Sequence, residues 1–508
     1  MRSFNLAFFF AYLLCCSCSS FGSGAVEVTF PYNESRVRQV MDSIAKVEDG
    51  WMYADDYSQK VYERSDSSLY QDTLYWVSRY GVDERAEALV GWLNSVEREG
   101  LKRTSFHLDE IAEDLKSFRK LKPDSCTQEE ACQLMGRLEL RLTHAYFRYA
   151  YGQRYGYTRA YRVFHNAMGS KGGDTPNRLF DYKCDVPTDS LGLVAIESLN
   201  SQNAMDDFLR GIQPTDSLFA SLCREYERAL EAGEKDRAEL ARLNIERSRW
   251  RYARPDGTGT YVFVNLPSYM LRAVNSSKNE TLQMKICCGK VNHQTPLLTS
   301  NINKLEINPY WVVPSSIVRK EIAPAHTGDA GYFSRNRMVA IDNKTHEVLN
   351  AASLTGEQLK SGRYTIRQER GAGNSLGRLI FRFPNRFSVY LHDTNSPGAF
   401  GRTSRAVSHG CVRVQKPLDL AVFLMDNPND FVVDKIRVAI DKQPLTDKGK
   451  KYKAETAKDK YMKSYGYDPS VPVYIDYFTL YPDSDGTIAS YPDIYGYDKT
   501  LKKVLDQF

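Results

Sequence analysis

VYLHDTNSPGAFGRTSRAVSHGCVRV, residues 389–414, holds two of the chain's eight histidines and its most chemically crowded cysteine. Val389 to His392 reads as a strand, which puts Tyr390 and His392 on one face. Asp393 to Arg405 is dominated by Asp, Thr, Asn, Ser, Pro and Gly and reads as a loop. After Gly410 the chain extends again. As a single strand, SHGCVRV (408–414) would alternate His409, Cys411 and Arg413 onto one face. Two strands joined by such a loop set His392 beside Cys411.

A free thiol titrates near 8.5, so only about 3% is thiolate at pH 7. A neighbouring imidazole that takes the proton turns it into a strong nucleophile. Gly410 lets the backbone approach a ligand closely, so the amides around Gly410 and Cys411 are candidate oxyanion donors, with Ser408 and His409 beside them. Arg413 offers a planar fork for a carboxylate. Asp393 follows His392 directly, and strand neighbours point apart, so either Asp393 or a backbone carbonyl orients the imidazole. His392, Asp393, His409 and Cys411 are also zinc-donor types. Gly410 and Arg413 beside the cysteine suit an anionic substrate better than a closed cation site, so no metal is expected. A buried structural cysteine is the other alternative; the convergence of two histidines, a glycine and an arginine speaks against it.

Working outward, the chain from about 258 is rich in β-branched and aromatic residues with alternation. TYVFVNLPSYMLRAV (260–274) and TLQMKICCGK (281–290) read as a hairpin. LEINPYWVV (305–313), RLIFRF (378–383), FSVYLH (387–392) and VPVYIDYFTLY (471–481) are further strands. Between them, 315–375 is polar and glycine-bearing and reads as a cap or lid insertion. The basic stretch at 440–465 reads as a solvated loop or helix. From 30 to 250 the texture is helical, as in ERAEALVGWLNSVEREG (84–100) and EKDRAELARLNIERSRWRYA (234–253), with apolar residues at three-and-four spacing. Its histidines, His107, His144 and His165, are isolated and read as ordinary. This half reads as a scaffold or interaction domain.

The 508 residues suit two to four domains at about 150 residues each. The 42% apolar content supports a core and excludes global disorder. A net charge of +5 is too mild for a nucleic-acid protein. The first residues carry Arg2 and the apolar run LAFFFAYLLCC (6–16), which has the length of a secretory leader and not of a spanning helix. Residues 1–18 therefore read as a signal peptide with a lipobox, lipidated at Cys18 or Cys16, and the product as exported to a bacterial envelope. Seven of the ten cysteines lie beyond it, an odd number that leaves at least one free thiol in an oxidising compartment.

The series H-D, fourteen residues from Thr394 to Val407, then S-H-G-C-V-R-V, resembles the signature of the YkuD-type L,D-transpeptidases. VNLPSYMLRAV (264–274), TPLLTSNINKLEINPYWVVP (295–314) and GAGNSLGRLIFRFPNRFSVYLHDT (371–394) narrow the likeness to the long, YcbB-like branch. So does VPVYIDYFTLYPDSDGTIASYPDIYGYD (471–498). The resemblance implies an α+β multidomain chain: a helical scaffold domain over 30–250, then a mainly antiparallel β-sandwich catalytic domain over 258–500. It implies Cys411 as nucleophile, His392 as general base, and Tyr390, His409, Gly410 and Arg413 as active-site neighbours, with Trp311 lining the donor site. The implied substrates are peptidoglycan stem peptides, as donor and as acceptor. The implied chemistry is a Cys thioester formed with loss of D-Ala and resolved into a 3→3 cross-link, without metal or organic cofactor. Covalent inhibition by carbapenems is implied too. A non-catalytic wall-binding lipoprotein is the alternative, against which the intact Cys, His and Arg set argues.

Overall fold

The computed structural model describes residues 29–47, 74–160, 163, 179–182, 184, 188–250, 258–425, 428–483 and 485–508. The stretch expected to be a leader, with Cys16 and Cys18, lies outside them, as does His165. Among the described residues no helix is long and apolar enough to cross a membrane. The seven cysteines among the described residues are all free thiols.

Two compact units emerge: Met1–Ala86 with Glu110–Thr143, and Glu87–Asp109 with His144–Phe508. In the first, α1 (Glu34–Val47) buries Val37, Val40 and Met41 along one stripe. Glu139 is fully buried there, and its carboxylate accepts the amides of Tyr75 and Trp76 at 2.7 and 2.8 Å. The long helix α2 (Gln128–Tyr155) begins in this unit.

The second unit is β-rich. Among its strands are β1 (Thr260–Asn265), β2 (Met270–Asn275), β3 (Glu280–Gly289), β4 (Leu297–Ile307), β5 (Trp311–Val312), β6 (Met338–Asp342), β7 (Val348–Asn350), β8 (Tyr364–Gln368), β9 (Leu379–Arg382), β10 (Leu391–His392), β11 (Ala406–Ser408), β12 (Val412–Val414) and β13 (Ser464–Asp476). The main sheet runs β9-β10-β12-β3-β2-β1-β13-β4, and β4 pairs back onto β9, so the ladder closes into a circuit. In that circuit every pairing is antiparallel except β10 with β12 and β1 with β13, and the two strands that join the sheet outside it, β11 on β3 and Phe180–Asp181 on β4, are parallel too. β2 alternates, burying Leu271, Ala273 and Asn275, whereas β1 and β9 are buried on consecutive residues, Val262 to Asn265 and Leu379 to Phe381.

Three expected strands differ. LEINPYWVV is split between two sheets, because Asn308 turns left-handed at φ 52° and Pro309 has no amide to donate. FSVYLH shortens to Leu391–His392, since Ser388 sits at φ 55° in a turn held by the Asn385 side chain. SHGCVRV is two short strands with a turn between them. The basic stretch contains a helix, Asp447–Glu455.

The 315–375 insertion is a built element. It leaves from β4 and returns on β9, two strands that are neighbours, and Asn308 N–H bonds Arg378 O across its base at 2.6 Å. Strands β7-β6-β8-β5 form its own sheet. Val318, Ile322, Phe333, Met338, Ala340, Leu359 and Ile366 form its own core.

In the same unit, α3 (Ser217–Glu231) and α4 (Lys235–Arg249) are followed much later by α5 (Tyr497–Leu505). The α4 pattern reads as amphipathic from sequence, yet every residue from Ala241 to Arg249 is buried, charged ones included. Arg247 pairs with Asp498 at 2.6 Å, Arg249 with Glu99 at 2.7 Å, and Arg242 with Asp506 at 2.8 Å. Burying those charges is tolerable only because each meets an acid.

Candidate active site

β10 and β12 lie side by side in parallel, with Leu391 opposite Val412 and His392 opposite Arg413. Arg413 is in turn opposite Cys287 on β3. The Val412 amide donates to Tyr390 O at 3.0 Å, which draws Cys411 alongside Tyr390 one step below His392 and Arg413. The sheet therefore gathers His392, Arg413, Cys411 and Tyr390 at one place.

The turn between β11 and β12 does not run as the sequence suggests. β11 is parallel to β3 and β12 antiparallel to it, so Ser408 to Cys411 crosses over the end of β3. Gly410 makes the crossing at φ 112°, a conformation costly for any other residue. His409 is consequently turned away from Cys411 and Arg413. Its Nε2 lies 2.7 Å from Glu321 Oε1 on the insertion.

Side chains brace this turn. Ser408 is buried, and its hydroxyl donates to Cys411 O at 2.5 Å while accepting Gly410 N–H at 3.1 Å. Thr295, fully buried, donates to Gly410 O at 2.9 Å and accepts Gly289 N–H at 2.8 Å. Tyr495 OH then donates to Gly289 O and accepts Thr295 N–H. Thr295 and Tyr495 carried no local signal in the sequence, since what marks them is a contact across 115 and 206 residues. Of the two candidate oxyanion amides, Gly410's is occupied by Ser408, whereas among the described residues no acceptor takes the Cys411 N–H.

Asp393 does not orient His392. Its carboxylate accepts Arg378 N–H at 2.8 Å and Thr394 N–H at 2.7 Å. It sits so tightly on Gly377 that a Cβ there would come within 2.4 Å of its Cγ. The imidazole instead faces backbone at Leu376 and Asp393, and its buried Nδ1 makes no hydrogen bond.

Burial, and then the neighbouring Arg413 cation, lower the His392 pKa to about 4, so the ring is neutral at pH 7. Burial raises the Cys411 thiol above its ordinary value, although the Tyr390 backbone, Arg382 and Arg413 pull the other way. The resting pair is thus a neutral thiol and a neutral imidazole. The Sγ points to Ser388 O at 3.9 Å. Arg382 is neutralised by Glu306 at 2.7 Å and lies 4.2 Å over the Tyr390 ring. Arg413 has no carboxylate partner among the described residues, and its buried Nε is unbonded. Trp311 stands on β5 opposite Gln368, half-buried against the core of the insertion. His392, Asp393, His409 and Cys411 are not assembled as a donor set: the single metal-type group among the described residues is His293, Glu321 and His409.

Residues 259–440 match the family model of the YkuD L,D-transpeptidase catalytic domain, and residues 35–225 match the model of the scaffold domain. A candidate L,D-transpeptidase of Haemophilus influenzae is 30% identical over 241 residues, 47% of this chain and 45% of that protein. The chain thus aligns with a little under half the length of the curated relative it matches. The solved L,D-transpeptidase from Mycobacterium smegmatis aligns at 14% identity with a TM-score of 0.19, over 43% of this chain and 58% of that one. That likeness is too slight to carry weight.

Proposed function

From a chain that carries a YkuD-type L,D-transpeptidase catalytic domain behind a scaffold domain, we propose a peptidoglycan L,D-transpeptidase working through a Cys411 thioester. The observation that carries this reading is an unpaired guanidinium, Arg413, beside a neutral imidazole and a thiol whose own amide is open. A stem-peptide donor brings the carboxylate that such a fork lacks.

Donor binding places the third-residue carbonyl against Cys411. His392 takes the thiol proton as the C–S bond forms, and the Cys411 N–H faces the oxyanion. The C–N bond to D-Ala then breaks, and His392 returns the proton to the departing amine. A side-chain amine of a second stem attacks the thioester, forming a 3→3 amide and freeing the thiol; water in its place makes the reaction a hydrolysis. Ser408, Thr295 and Tyr495 touch no substrate here and position the turn. Trp311 and the insertion cover the donor cleft. The enzyme works in the bacterial envelope, exported and lipid-anchored through Cys16 or Cys18, and a carbapenem acylates Cys411.

The test is D-Ala release from purified tetrapeptide muropeptides. Wild-type chain should release it and Cys411→Ser should not, with unchanged circular dichroism. Release by Cys411→Ser at near wild-type rate would end the thioester reading.

A further inference from the structure

His293, Glu321 and His409 come from three separate places. His293 ends the short 3-10 turn Val291–His293 between β3 and β4. Glu321 stands in a π-helical turn, Val318–Ile322, set into the helical run of the cap. His409 lies two residues before Cys411. Each offers one donor atom, and all three atoms lie within 4.8 Å of one another. The two imidazole centroids are 4.9 Å apart, and His409 already holds Glu321 at 2.7 Å.

We propose that these three side chains bind a zinc-class divalent cation, and that the ion locks the cap onto the nucleophile turn. Two imidazoles and one carboxylate form a zinc donor set with a free fourth position, whereas calcium and magnesium favour oxygen donors. Tetrahedral zinc holds its donors about 3.4 Å apart, so side-chain movement of about 1 Å closes the group. Glu321 and His409 remain partly solvent-exposed, at 44% and 33%, which leaves an entry path. A π-turn is a costly irregularity that tends to mark a functional position, and here it carries the cap's ligand. With the ion bound, the cap is tied to the segment that must receive the donor peptide, and turnover stops.

The test uses the full chain with Cys411→Ser, so that the thiol cannot serve as a ligand. Cobalt(II) is titrated and its visible d–d absorption followed, with zinc binding measured by calorimetry. One equivalent should bind, and His293→Ala or Glu321→Gln in that background should weaken binding at least tenfold at unchanged circular dichroism. With Cys411 intact, His293→Ala should release D-Ala normally without metal and lose inhibition by micromolar zinc that EDTA reverses in the wild type. No binding in the Cys411→Ser chain, or binding that survives both ligand substitutions, overturns the site. Zinc inhibition that persists in His293→Ala assigns the effect to the thiol and overturns the lock. The cobalt spectrum reports the site even in a chain that turns over no muropeptide, so the two readings fail separately.

Discussion

Helix α4 and the β10–β12 pair both bury arginine, and they treat it in opposite ways. On α4, Arg242, Arg247 and Arg249 each close on an acid of the same unit. At the site, Arg413 has no acid and the Cys411 amide has no carbonyl, among the described residues. Buried polar groups normally find partners, and leaving one bare costs about 1–3 kcal/mol. The first region spends its charge on the fold. The second keeps its charge unspent, which is what a site for an anionic substrate requires.

The largest effect that tests this contrast is on α4. Arg247→Ala strands Asp498 in a buried site, so stability should fall by about 3–5 kcal/mol, read as a lowered denaturation midpoint, with kcat/KM of the remaining folded fraction little changed. Arg413→Lys should do the reverse. Midpoint should hold, while kcat/KM on tetrapeptide muropeptides falls 10- to 100-fold, about 1–3 kcal/mol. An Arg413→Lys chain that unfolds like Arg247→Ala would erase the contrast.

Next comes pH. His392 stays neutral until pH falls to about 4, so the acid limb of kcat/KM should lie well below the ordinary histidine value near 6.5. Because the Cys411 thiol is raised, alkylation by iodoacetamide should climb with pH through 9 without levelling between 6 and 8. Arg413→Gln removes a cation that lowers both groups, so both profiles should shift to higher pH. A plateau near neutrality would instead indicate a resting thiolate–imidazolium pair.

The smallest effect is at the cap. Glu321→Gln breaks a partly exposed contact worth no more than about 1 kcal/mol, so the midpoint should barely move. The ratio of hydrolysis to cross-linking should rise if the cap excludes water. Deleting 325–365, by contrast, should unfold the insertion, because it removes β6, β7 and most of the insertion's own core.

Much of the site was legible because its chemistry is local. Cys411, His392 and Arg413 share one 26-residue stretch whose strand pairing brings them together. His409 was misplaced because alternation assumed an unbroken strand, and the positive φ of Gly410 ends it. Asp393 was read as a possible orienter, since a sequence cannot show that the amides of Arg378 and Thr394 claim its carboxylate. The cap looked like a polar lid because its apolar residues are scattered over short elements that meet only in three dimensions. The fate of α4 was hidden for the same reason: Arg249 finds Glu99 across 150 residues.

The central claim is that the unspent charge serves a covalent step at Cys411. Intact-mass spectrometry of the full chain, quenched in acid during turnover of tetrapeptide muropeptide and then digested, addresses it directly. The expected result is an adduct equal to the donor minus D-Ala, on the peptide that contains Cys411 and absent from Cys411→Ser. D-Ala release without any such adduct, or with the added mass on another residue, would contradict it.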